Sequence, residues 1–355
     1  MTEELIPNGI SEARSVSNGV GSPTEQFTPL LPAAKDPGLR WRALPALALI
    51  LLFFGAVAIT LEYENTEHAP QIIQSAAAAA TARNSFEGVE LSAESAIVVD
   101  LVTGRTLYEK NPDIQLPLAS LTKVALVLAV SEVLPLGSVI TIPYDTSPKG
   151  SVERLAKDEE WPVKDIIDFT LVASSNAGAE ILASVADDAI RERFSDAPEG
   201  FAALWRMNNL AQELGLVHTY FLNASGLDVS ATLSGAYGSA RDMAKLFSYA
   251  ATAKSAVFDG TAENGLILTS ANGGAKTIAF NTNEALGDIP GLIMGKTGMT
   301  HLAGGNLAIV FEVGPAHPIV AVVLGSTSED RFSDMKMLIS RTQQAISQSA
   351  ETNAI

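Results

Sequence analysis

Apolar positions recur differently in successive stretches of the chain. Residues 1–42 are rich in Ser, Pro, Gly, Asn and Glu and show no apolar period, which predicts a solvated tail. Ala43 to Leu61 are then 19 residues without a charge, ALPALALILLFFGAVAITL. At about 1.5 Å per residue, a helix of that length crosses a bilayer core of about 30 Å. Pro45 falls in its first turn, where a missing N–H costs least. Lys35, Arg40 and Arg42 precede the stretch, and Glu62, Glu64 and Glu67 follow it. Basic flanks stay inside, so the N-terminus is expected in the cytoplasm and residues 62–355 outside. A buried core helix is a poor alternative beside a solvated tail. A cleaved signal peptide has a site at Ala56-Val57-Ala58, but its leader would be unusually long and Ile59-Thr60-Leu61 continues the apolar run. A retained bacterial membrane signal-anchor over 43–61 is therefore the expectation, followed by a linker over 62–88.

Beyond the linker the period shifts to strands. Ser95–Leu101 and Arg105–Lys110 are β-rich runs around Gly104, which predicts a hairpin. Asn306–Val313 and Ile319–Leu324 repeat the pattern at the far end, apolar on both faces as central strands are. Asp330 to about Ser349 returns to helical spacing through Phe332, Met335, Leu338, Ile339 and Ile346. Between the hairpins the chain is mostly helical, with Val163–Ala173 opened by Pro162, Ala179–Ala186, and Phe201–Leu214 closed by Gly215. Strands from both ends with helices between them predict an α+β domain over 89–349 with one antiparallel sheet built from the chain ends.

Composition narrows the chemistry. The 355 residues include no cysteine, which excludes disulfides, thiolate metal sites, iron–sulfur clusters and a thiol nucleophile. With 23 Lys+Arg against 40 Asp+Glu the net charge is −17, which argues against nucleic-acid binding. The tail contributes only −1 of this, so the acidity belongs to the exterior part and serves solubility. The 4 His form no zinc-binding pattern.

No Gly-x-Ser-x-Gly elbow is present, so an active serine would need a lysine base. Ser120-Leu-Thr-Lys123 puts a hydroxyl and an amine on one helix face. Ser333-Asp-Met-Lys336 does the same on the amphipathic final helix and reads as surface charge, so the motif alone says little. Ser174-Ser175-Asn176 interrupts a helical pattern and would serve equally as a cap; Ser270-Ala271-Asn272 lies in a Gly-rich turn. Lys296-Thr297-Gly298 suits an anionic ligand, or a lysine-guarded strand edge. A phosphate loop is excluded because Pro290 stands where its first Gly belongs.

The order of these motifs carries the argument. Ser-x-x-Lys, Ser-x-Asn and Lys-Thr-Gly form the set of penicillin-recognising serine enzymes. The exterior part resembles the D-alanyl-D-alanine carboxypeptidases, the low-mass penicillin-binding proteins. The resemblance extends through Pro117-Leu-Ala-Ser120-Leu-Thr-Lys123, Met207-Asn208, Leu214-Gly-Leu216, Thr219, Phe221-x-Asn223, Gly226-Leu-Asp228, Lys296-Thr-Gly-Met-Thr300, Ala303-Gly304 and Leu307. It implies a β-lactamase/transpeptidase-like fold and a serine-type carboxypeptidase that removes the terminal D-Ala of peptidoglycan stem peptides. By resemblance, Ser120 is the nucleophile, Lys123 its base, Ser174 the proton relay and Asn176 the orienting amide. Lys296 and Thr297 take the terminal carboxylate, Gly298 lets substrate approach the strand, and the N–H groups of Ser120 and Met299 form the oxyanion hole. Burial and nearby Lys296 are expected to lower the pKa of Lys123. The implied partners are D-Ala-D-Ala stem peptides and β-lactam antibiotics, with no metal or organic cofactor. Ala177 departs from the Asp common after the motif Asn, and because the sequence stops soon after the final helix, the extra β-rich domain and C-terminal anchor of many relatives are not expected. Endopeptidase or transpeptidase action on cross-links would use the same residues. A β-lactamase would need a Glu-x-x-Leu-Asn loop, which is absent, and a non-catalytic wall-binding protein would not need every motif residue.

Overall fold

In the computed structural model, the described residues are 85–146 and 154–353. The tail, the expected anchor over 43–61 and most of the linker lie outside them. Among the described residues, no helix is long and apolar enough to cross a membrane. Phe86, placed in the linker by its sequence, stacks on Tyr108 with ring centroids 5.2 Å apart, so packing begins before residue 89.

The chain opens with the expected hairpin, β1 (Ser95–Asp100) and β2 (Thr106–Lys110). Asp100 fixes its turn by accepting from the N–H groups of Val102 and Thr103. Short strands β3 (Leu116–Pro117), β4 (Val139–Thr141) and β5 (Glu160–Pro162) follow, with helix α1 (Thr122–Ser131) after β3. Helices α2 (Val163–Val172), α3 (Asn176–Arg193) and α4 (Ala202–Glu213) come next. Strands β6 (Tyr220–Phe221) and β7 (Ala236–Gly238) precede α5 (Ala240–Ala253). The hairpin β8 (Gly265–Thr269) and β9 (Lys276–Phe280), which periodicity did not reveal, leads to β10 (Leu292–Thr300), β11 (Gly304–Glu312), β12 (Pro318–Ser326) and α6 (Asp330–Asn353).

The main sheet runs β10-β11-β12-β1-β2, and its pairings are antiparallel. Strands from both chain ends meet where Ser95 lies opposite Leu324. Alternate side chains of β11 and β12 serve different cores: Ala308, Val310, Val320 and Val322 face the helical region, while Leu307, Ile309, Phe311 and Val323 face Met335, Leu338 and Ile339 of α6. That two-residue alternation between buried faces explains why these strands are apolar throughout.

Helix α1 is buried from Thr122 through Val130, so it is apolar on every side except at Thr122 and Lys123, which are buried with it. Helix α3 starts at Asn176, three residues ahead of its expected apolar run, because Ser175 caps it by accepting from the Gly178 N–H.

Candidate active site

Ser120 sits in a single 3₁₀ turn, Ala119–Leu121, that feeds α1. Ala119 adopts φ +49°, an uncommon conformation for a residue with a side chain. Three contacts hold it there. Thr122 Oγ1 donates to the Ala119 carbonyl at 2.7 Å. Asn306 Nδ2 donates to the Pro117 carbonyl at 3.0 Å, tying the turn to β11. Gly226, at φ +78°, presses against Ala119, where a β-carbon would collide with the carbonyl oxygen.

The next helical turn brings Lys123 onto the same face, with Nζ 2.7 Å from Ser120 Oγ. The amine also reaches Asn176 Oδ1 at 2.8 Å and the Ser225 carbonyl at 2.9 Å. Asn223 shapes the loop that presents Ser225: its Oδ1 accepts from the Ser225 and Gly226 N–H groups and its Nδ2 donates to the Leu227 carbonyl. Asp228 fastens that loop to the end of β10, accepting from Thr300 Oγ1 and the Leu302 N–H.

A second cluster lies on β10, the edge strand. Lys296 Nζ donates to Ser174 Oγ at 2.8 Å and to the Thr297 carbonyl at 2.9 Å. Ser174 links α2 to α3 at φ +56°, an uncommon backbone state that recurs at functional sites. Its hydroxyl thus joins the Lys296 cluster, while Asn176, two residues on, joins Lys123. Thr297 Oγ1 shares a 2.6 Å hydrogen bond with Thr282 Oγ1. Gly298 lets β10 approach the serine turn, since a β-carbon would stand 2.8 Å from the Leu118 carbonyl. Met299 is 58% exposed at the mouth.

Both lysines are buried, Lys123 at 0% and Lys296 at 2% exposure, and their side-chain partners are neutral oxygens. Burial pushes Lys123 down to about 7, against a small opposing pull from Glu180. Lys296 falls well below the ordinary ammonium range through burial, then through the positive charges of Lys123 and Arg331. Burial is the leading cause at both lysines, and the like-charge repulsion between the two amines disfavours charging both at once. Arg331, in the first turn of α6, donates from Nη1 to the Gly298 carbonyl at 2.9 Å, while its Nε has no hydrogen-bond partner among the described residues. Burial lowers its pKa too, with Glu284 and Glu329 opposing.

Ser120, Lys123, Ser174, Asn176, Lys296, Thr297, Gly298 and Met299 therefore converge from α1, the α2–α3 junction and β10. Arg331, Thr282 and the Ser225 carbonyl were not among the residues singled out. Ser225 lies within the Asn223–Asp228 stretch that carried the resemblance, whereas Arg331 and Thr282 belong to no local motif.

A hydroxyl beside an amine near neutrality can lose its proton and attack a carbonyl. Buried cations without carboxylate partners offer a site to an incoming anion. Similar chains fit this geometry. A family model described as D-alanyl-D-alanine carboxypeptidase matches residues 78–328. D-alanyl-D-alanine carboxypeptidase DacF of Bacillus subtilis is 34% identical over 257 residues, covering 70% of this chain and 61% of that protein. A D-alanyl-D-alanine endopeptidase of Escherichia coli is 31% identical over 182 residues, covering 50% of this chain and 52% of that protein. The chain thus spans about half to three-fifths of the length of these relatives. Penicillin-binding protein D2 of Listeria monocytogenes, solved with ampicillin bound, is 28% identical with a TM-score of 0.58, over 72% of this chain and 98% of that one. The α+β architecture is that of the transpeptidase-like fold.

Proposed function

The chain belongs to the D-alanyl-D-alanine carboxypeptidase family, and from that premise we propose that it is a serine-type D-Ala-D-Ala carboxypeptidase of peptidoglycan, inhibited by β-lactams. The observation that carries this reading is the 2.7 Å contact between Ser120 Oγ and an amine whose pKa lies at about 7. Ser120 Oγ attacks the carbonyl of the penultimate D-Ala, and its proton passes to Lys123. The N–H groups of Ser120 and Met299 stabilise the oxyanion. The C–N bond breaks as Lys123 gives up that proton, which Ser174 relays to the leaving amine, and free D-Ala departs. Water then attacks the Ser120 ester, with Lys123 as base, and releases the shortened peptide. Asn176 orients Lys123 and the substrate amide. Lys296 and Thr297 take the terminal carboxylate, whose negative charge restores the ordinary protonation of Lys296.

The same reading places a signal-anchor at 43–61 in the bacterial cell membrane, residues 1–42 in the cytoplasm and a catalytic domain at 89–349 outside, joined by the 62–88 linker. Its support is the uncharged stretch and its basic N-terminal flank. A reporter fused at the C-terminus and active only in the cytoplasm tests this; a signal from it overturns the topology.

For the chemistry, labelled penicillin and mass spectrometry of the intact protein are expected to find Ser120 as the acylated residue. A label on Ser333, or retained labelling in Ser120→Ala, overturns the assignment. Release of D-Ala from a defined pentapeptide tests the carboxypeptidase activity itself. Endopeptidase action is the second reading, favoured by the relative so named, and a cross-linked muropeptide dimer separates the two.

A further inference from the structure

The chemistry above leaves unused a continuous cleft on the outer side of α3 and α4. Its first part, a cavity of about 550 Å³, follows α3 from Glu180 to Asp188 and faces Leu222–Ala224. It begins beside the site, since Glu180 lies one turn past Asn176 and Ala224 directly precedes Ser225. Three of its carboxylates serve the fold. Asp187 accepts from the Gly200 and Ala202 N–H groups, and Asp188 and Glu199 pair with Arg191. This part reads as a passage.

The second part, of about 450 Å³, shares Phe201 and Leu204 with the first and continues along α4 past Trp205, Asn209 and Gln212. These residues follow Phe201 at helical spacing, so they share one face. Phe201 is 65% exposed, and Trp205 packs on Phe194 with ring centroids 5.9 Å apart. No charged side chain lines this part. Aromatic rings with neighbouring amides, which both donate and accept, suit an uncharged ligand that has C–H faces and acetamido groups.

Length says which ligand arrives there. On the peptidase reading the Lys296 cluster takes the carboxylate end of the substrate, which leaves the Asn176–Ser225 side, where the passage begins, for its acyl half. Four extended residues reach about 13–14 Å. Helix α3 rises about 18 Å from Asn176 to Asp188. A four-residue acyl half therefore ends about 4 Å short of the level of Asp188, and the N-acetylated sugar joined to that end extends the substrate toward Phe201, which Asp187 holds through the flanking Gly200 and Ala202 N–H groups. We propose that the Phe201–Trp205 cleft is a glycan subsite that binds this sugar, so that the enzyme favours stem peptides still attached to the glycan. The proposal rests on the peptidase reading given above.

The test compares D-Ala release by the full chain from a free pentapeptide and from the same pentapeptide carried on its N-acetylated disaccharide. Stacking on one aromatic face predicts kcat/KM roughly three- to tenfold higher for the disaccharide form. Phe201→Ala and Gln212→Ala, both on the cleft surface, are expected to bring the ratio to one and leave free-peptide turnover unchanged. A wild-type ratio of one, or a ratio that neither variant lowers, overturns the subsite while free-peptide turnover keeps the peptidase reading standing. If neither substrate yields D-Ala, the peptidase reading fails instead. A readout independent of turnover is tryptophan fluorescence with the disaccharide alone. Quenching lost in Trp205→Phe supports the subsite, and no quenching in the wild type counts against it.

Discussion

Two regions of this molecule bury cations and treat them in opposite ways. Between α1 and α4, Arg206 lies among carboxylates: Nε and Nη2 donate to Glu132, Nη1 and Nη2 donate to Glu213, and the guanidinium stands 4.8 Å from the centre of the Phe194 ring. Those hydrogen bonds raise its pKa. In the cleft, Lys123 and Lys296 are as deeply buried, yet two hydroxyls, an amide oxygen and backbone carbonyls are their partners. The first arrangement completes the charge and stitches two helices together. The second leaves one amine with a pKa near 7, able to accept a proton, and another suited to an incoming anion. What distinguishes structural from functional burial here is the absence of a counter-ion, a feature of the whole pocket that no single residue reveals.

The contrast can be broken most forcefully at Lys123. Lys123→Met keeps volume but removes the base, so acylation by penicillin is expected to fall roughly 100-fold or more without loss of thermal stability. Arg206→Met strands Glu132 and is expected to cost about 1.5–3 kcal/mol in urea unfolding. Equal stability losses in these two variants would erase the distinction. Lys296→Ala is expected to weaken use of a D-Ala-D-Ala peptide by roughly 10–150-fold, mainly through KM. Amidating the substrate carboxylate sharpens the point: it harms the wild type far more than the variant, and equal penalties would mean that Lys296 supports a neutral Lys123 instead of reading the carboxylate. The smallest effect is on pH. Because only the neutral amine accepts a proton, the acylation rate is expected to fall about tenfold per pH unit below about 7 and to level off above it. The same shift has a stability sign. Between about 7 and 10 the unfolded chain holds a Lys123 proton that the folded chain has lost, so urea stability rises with pH across that window, less steeply in Lys123→Met.

Much of this was legible in the sequence where interactions are local. The i, i+3 spacing of Ser120 and Lys123 fixes their meeting once α1 forms, and the doubly apolar runs of β11 and β12 announce central strands. Ser174-Ser175-Asn176 was ambiguous between cap and site because it is both: Ser175 caps α3, while its neighbours face two different lysines. Arg331 and Thr282 were not legible, since each arrives from a distant segment and makes one contact on β10 that no spacing encodes. The hairpin β8–β9 was missed because its alternation is weak, with Ile267 exposed and only Leu268, Thr277 and Ala279 buried.

The register that sets Ser95 opposite Leu324 has a consequence for how the molecule forms. Strand β1 emerges early in synthesis, but one of its two partners, β12, is among the last elements to appear. Until then the edge of β1 that β12 will cover stays unpaired, and the face that α6 will cover lies open. Closing a loop of this length makes folding slow and late, governed by non-local pairing. A chain truncated before β12 would expose two open strand edges and aggregate rather than yield a smaller folded domain.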